Sequence, residues 1–103
     1  MNGNEPVREW LLKLGVEDRK IIGKDIQKVE FGWPIGMPYC KPLKYGLYEV
    51  RSNITNQLIA RIIFLIKTNE MILLHGFIKK AQKTPKPELD LAIKRKKEVE
   101  SND

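Results

Sequence analysis

Val7, Trp10, Leu11 and Leu14 recur at i, i+3, i+4 and i+7, the spacing that lines one face of a helix. Asn4 is placed to cap its start, Pro6 suits the first turn, and Gly15 suits a left-handed residue just past its end. A second helix is predicted from Glu17 to Glu30, with Ile22, Ile26 and Val29 on its apolar face and Glu17 and Asp18 favouring its positive N-terminal end. Gly23 costs that helix about 1 kcal/mol relative to alanine, which predicts a close packing contact there. With so little chain between them, the two helices should form a helical hairpin. Gly32 to Pro42 then holds three prolines and two glycines, which predicts a stiff loop pinned to the domain by Trp33, Met37 and Tyr39.

Beyond the loop the character changes to β-branched and aromatic runs separated by short polar turns. Leu47 to Ile54, Leu58 to Lys67 and Met71 to Lys79 read as three strands, joined by Thr55-Asn56-Gln57 and Thr68-Asn69-Glu70 into an antiparallel meander. The middle strand is apolar on both faces except at Arg61, so it should be central and covered by the helices on one side. Thr84 and Pro85 open a third helix, with Leu89, Ala92, Ile93 and Val99 on one face and Lys94, Arg95, Lys96 and Lys97 on the other. Residues 1–5 and 99–103 are expected to fray. The predicted fold class is α+β: an N-terminal helical hairpin packed on a small antiparallel β-sheet, followed by a C-terminal helix, in a single domain spanning residues 1–103.

Charge alters this picture more than composition does. A formal charge of +6 and a pI near 9.5 suit a polyanionic or acidic partner, or simply a soluble basic surface. The single cysteine, Cys40, excludes an internal disulfide and a cysteine-based zinc site, and one histidine excludes a His-rich metal site. No cofactor is expected. The longest apolar run, Leu58 to Ile66, is interrupted by Arg61 and is far short of a membrane span, and the N-terminus has no signal-peptide core. The expected setting is cytoplasmic, without a membrane partner.

Arg61 is the sharpest single residue, because a guanidinium in an apolar strand needs a carboxylate or an open groove. Glu49 on the neighbouring strand is one candidate partner, and a phosphate is the other. Pairing Ile54 with Leu58 would make Arg51 and Arg61 direct cross-strand neighbours, whereas a one-residue slip would separate them to opposite faces. Like charges opposite each other destabilise a sheet, so if the two coincide an anion belongs between them. Lys79, Lys80, Lys83 and Lys86 place four lysines within eight positions where the last strand ends. They suit either a phosphate-facing edge or a solvated surface. His75, flanked by Leu74 and Gly76, is either a hydrogen-bonded structural residue or part of a site, and Cys40 reads as a structural thiol. No Ser-His-Asp set, glycine-rich phosphate loop or paired-carboxylate site is present in the sequence pattern.

Three segments carry a family resemblance: PVREWLLKL (Pro6 to Leu14), PYCKPLKYGLYEVR (Pro38 to Arg51) and, most specifically, LLHGFIKKAQKTPKPELDLA (Leu73 to Ala92). Together with the order of elements they make the chain resemble the RelE/ParE superfamily of type II toxin-antitoxin toxins, and more narrowly the phage-derived HigB-type toxins. The similarity runs from Pro6 to about Glu98. Such toxins usually begin with a β-strand before the first helix, whereas only Met1 to Glu5 precede Pro6. The chain is therefore expected either to lack that strand or to begin internally to the usual start. The resemblance implies ribosome-dependent cleavage of mRNA without a metal and neutralisation by a helix-turn-helix antitoxin. Carried onto this sequence, it implies catalytic roles for Arg51, Arg61, Lys79, Lys80, Lys83 and His75. Lys44, Lys86 and Arg95 are expected to contact RNA. The alternative is a protein without nuclease activity, either a ParE-like gyrase poison or an inactive relic that only binds antitoxin or nucleic acid.

Overall fold

The near-continuous apolar run Ile59–Lys67 (β3) must be hidden on both faces, and this dictates the layering. The computed structural model describes residues 5–36, 39–78 and 84–101. Its elements are α1 (Glu5–Leu12), α2 (Val16–Gly32), β1 (Cys40–Pro42), β2 (Tyr48–Asn53), β3, β4 (Glu70–Ile78) and α3 (Lys86–Ser101). The strands form one antiparallel sheet in the order β1-β2-β3-β4. Helices α1 and α2 lie over one face, α1 against β4 and α2 against β2, while α3 covers the other face along β4 and β3. The fold is α+β, as the element pattern predicts.

Alternation along each strand sorts side chains into two cores. Val50, Ala60, Ile62 and Phe64 meet Val7, Ile22 and Val29 on the α1/α2 side. Ile63, Leu65, Leu74 and Phe77 meet Ala92 on the α3 side, with Leu89, Ile93 and Val99 packed alongside. Each large aliphatic or aromatic side chain fully withdrawn from water contributes about 1.5–3 kcal/mol, so two such layers hold the three tiers together. Trp33 closes the first core, edge-on to Tyr48 at 4.7 Å and to Phe64 at 5.7 Å between ring centroids. It thus pins the proline-rich segment as expected. Tyr39 is more exposed and lies beneath Lys28, whose Nζ is 4.6 Å from the ring centroid. Asn4 and Met37 fall outside the described residues. Cys40 is buried on the same side, and burial pushes its thiol above the ordinary value, so it is structural.

Several expectations are corrected. The central strand is covered by helices on both sides rather than one, because α3 supplies a second apolar face. The proline-rich segment ends in a fourth strand, β1, whose pairing of Cys40 with Val50 and Pro42 with Tyr48 follows from a tight turn at 43–47. There Leu43 N donates to Leu47 O at 2.8 Å, and Tyr45 and Gly46 take φ of 64° and 72°. Proline is tolerated in β1 because it is an edge strand. Gly15 is not left-handed; with φ −65° and ψ 157° it is the extended residue that starts α2, while α1 has already ended at Leu12. Gly23 has no close contact, since a Cβ built there would meet nothing within 4 Å. The C-terminal helix continues to Ser101 with Val99 packed against the core, and α1 begins at Glu5.

The glycine that does have a packing reason is Gly76. A Cβ there would lie 2.5–2.9 Å from three carbons of the Trp10 indole, so α1 rests its tryptophan directly on the β4 backbone. Gly76→Ala should therefore cost about 1–3 kcal/mol through overpacking and shift the tryptophan emission as α1 lifts. Gly23→Ala, filling open space in a helix, should stabilise by up to about 1 kcal/mol. Urea denaturation of the two variants reads these opposite signs directly.

Candidate functional site

The three-residue turn Thr55–Gln57 sets the register, with Ile54 N donating to Leu58 O at 3.0 Å. Arg51 and Arg61 are consequently direct cross-strand partners on one face, the face that α3 covers. Alternation places Glu49 on that face as well, two residues before Arg51. Arg61 is 0% exposed and Glu49 is 0% exposed. Arg61 Nη1 donates to Glu49 Oε1 at 3.4 Å, and Arg51 Nε lies 3.9 Å from the same oxygen. Thr84 Oγ1 donates to the other carboxylate oxygen, Oε2, at 2.7 Å. The anion expected between the two arginines is thus internal: it is the Glu49 carboxylate.

Burial pushes the Arg61 guanidinium below its ordinary value; Glu49 opposes that shift and Arg51 adds to it. The ordinary value is so high that the group remains charged. The two arginines therefore differ in what they can meet. Arg61 is enclosed with Glu49, whereas the Arg51 side chain keeps 23% of its surface in solvent. Arg51 is the cation of the pair that an external phosphate can reach.

His75 belongs to a separate polar cluster beneath α3. A bulge in β4 places it there: Ile63 pairs with His75 and Phe64 with Leu73, leaving Leu74 as an extra residue. Leu74 joins the α3-side core, and His75 bonds to α3 itself. Arg95 Nη1 donates to Leu74 O at 2.9 Å and lies 3.0 Å from His75 Nδ1. A guanidinium can only donate, so Nδ1 accepts and the ring proton sits on Nε2. That proton is donated to Glu88 Oε1 at 2.7 Å. The ring also stacks on Phe77 with centroids 5.7 Å apart. Both ring nitrogens are therefore engaged in holding α3 on β4, which in turn sets where Thr84 meets Glu49.

The remaining predicted residues are scattered. Lys44 is exposed in the β1–β2 turn. Lys86 is exposed and paired with Asp90 at 2.9 Å, and the bond to that carboxylate raises its pKa. Arg95 turns inward as described, and Lys96 reaches across the surface to the β1–β2 turn, where its Nζ donates to Tyr45 O at 2.5 Å. The expected cationic face of α3 thus divides, leaving Lys94 and Lys97 outward. Lys79, Lys80 and Lys83 lie outside the described residues, which end at Ile78, the partner of Ala60, and resume at Thr84. Two contributors were not singled out from sequence, Thr84 and Glu88. In the sequence Thr84 signals only a helix start. Glu88 carried a usable signal, since an acid in the first turn of a helix packed on β4 is well placed to meet a histidine there.

What this arrangement offers chemically is a partly exposed arginine beside a buried carboxylate. It suits binding and charge stabilisation of a phosphate. No curated protein matches the chain. The family described as phage-derived Gp49-like proteins (DUF891) matches residues 9–97, a span that contains every residue of the two polar clusters, and the chain belongs to that family.

Proposed function

We propose that this phage-derived chain is a RelE-like toxin of a type II toxin-antitoxin system that cleaves mRNA on the ribosome. The family is associated with RelE- and toxin-like proteins, which supports the general class. The observation that carries the finer reading is the Arg51–Glu49–Arg61 arrangement on paired strands. Cleavage by the RNA's own 2′-hydroxyl needs negative charge on the phosphate stabilised while a proton leaves the hydroxyl and another reaches the departing 5′-oxygen. Arg51 meets the phosphate, and Arg61 acts through Glu49 to hold Arg51 in place.

Glu49 is engaged by Arg61 and Thr84, so the proton transfers fall to the lysines that the sequence supplies after Ile78, namely Lys79, Lys80 and Lys83. A lysine serves as a base when neighbouring cations or burial lower its pKa, and this stretch is rich in cations. General acid-base catalysis contributes about 10²- to 10⁴-fold, and the ribosome supplies positioning of the substrate. Lys44 and Lys86 contact flanking RNA, while His75 and Arg95 keep α3 in place. The partner that silences the toxin is a helix-turn-helix antitoxin, and the site of action is the cytoplasm.

Induced expression followed by mapping of mRNA 5′ ends on ribosomes tests this reading. Wild type should arrest growth and produce new ends, and Arg51→Ala should lower cleavage by about 10²- to 10³-fold while remaining folded. Full toxicity in Arg51→Ala, or a DNA-damage response in place of RNA cleavage, would overturn it. Arg61→Ala should behave differently. It strands a buried carboxylate and should lose about 3–5 kcal/mol of stability, so its loss of function should accompany a lowered unfolding midpoint.

A further inference from the structure

Two of the four acids of helix α2, Asp18 and Asp25, turn toward the sheet. Asp25 accepts from Ser52 Oγ at 2.5 Å, and Asp18 accepts from both the backbone N and Oγ1 of Thr55 at 3.1 Å. Glu17 and Glu30 stay exposed near the two ends of the helix, and between them Lys20, Lys24 and Lys28 stand one above another at i, i+4 and i+8, all exposed. Successive members are about 6 Å apart along the axis. Like charges at this spacing repel and weaken a helix. Among the described residues none of the three is joined to a carboxylate by an ion pair. Phe31, 82% exposed, ends the same stripe, and Tyr39 lies beside it under Lys28.

Gly23 adds an independent observation. It weakens the middle of α2, and a Cβ built there would meet nothing within 4 Å among the described residues. Beside Lys20 and Lys24 it leaves a notch through which another molecule's backbone can approach the helix.

We propose that this face of α2 is a docking surface for an RNA backbone, separate from the Arg51 site and on the opposite side of the sheet. Lysines in a regular row with no apolar residue between them suit phosphates, because lysine is depleted from protein–protein interfaces, whose centres are apolar. The exposed aromatic at the end of the row suits an unpaired base. The inference deepens the ribosomal reading, since it assigns a surface that would hold the protein on structured RNA while Arg51 meets the scissile strand.

Fluorescence anisotropy with a labelled RNA hairpin carrying a single-stranded tail, measured on the purified chain across a salt series, tests the proposal. Replacing all three residues (Lys20→Gln, Lys24→Gln, Lys28→Gln) should flatten the log–log salt slope by about 2 and weaken binding roughly 100-fold at 0.1 M salt, with the unfolding midpoint retained. Gly23→Gln, which closes the notch without changing charge, should raise the unfolding midpoint and weaken binding several-fold. An unchanged slope in the triple variant, undiminished binding by Gly23→Gln, or equal competition by poly-glutamate at matched charge would overturn the assignment. Because the readout is binding by the free chain, a protein that binds in this way but cleaves nothing on ribosomes refutes the nuclease reading and supports the docking surface.

Discussion

The buried pair of Glu49 and Arg61 is the constraint on which the α3 side of the molecule depends. Two charges withdrawn from water must compensate each other closely, and here the carboxylate also accepts a hydroxyl from Thr84 at the start of α3. That single group therefore ties β2 to β3, meets the chain at the entry of α3 and places a negative charge beside Arg51. An aliphatic pair of similar volume would hold the strands together as well. It would not place a negative charge beside a second guanidinium at the surface.

A second polar cluster works along the same helix. His75, Glu88 and Arg95 tie α3 to the bulged part of β4, one turn and more beyond Thr84. The two clusters give α3 directional contacts at two points, and Leu89, Ala92 and Ile93 add the apolar adhesion between them. His75 and Arg95, which look catalytic or RNA-binding in the sequence, are thus used to orient a helix. Among the described residues, exposed cations stand in the more regular row on α2.

Much of this was legible in the chain. The β-rich middle with its short polar turns led to the correct meander, and a three-residue turn at Thr55 offered the pairing of Arg51 with Arg61, while a one-residue slip stayed open in the sequence. What local pattern could not decide was which way each guanidinium faces solvent, because that depends on α3, far away in sequence. The short strand at Cys40 was hidden by its prolines, which signal a loop unless an edge position excuses them. The two glycines show the same limit. Gly23 and Gly76 look alike as interruptions, yet only the fold reveals that one lies under an indole and the other faces open space.

The extra residue in β4 has a consequence for the phase of that strand. Paired as an ordinary residue, Leu74 would reverse everything after it: His75 would face α1 and α2, Gly76 would face α3, and Phe77 would collide with Trp10. The two halves of β4 are out of step with each other in sequence and in step in space, with Leu74 as the offset. Loss of one residue from a half-buried strand normally turns its remainder inside out. At position 74 it would leave both halves facing as they do now, so this is the one point where β4 can change length without exchanging its two cores.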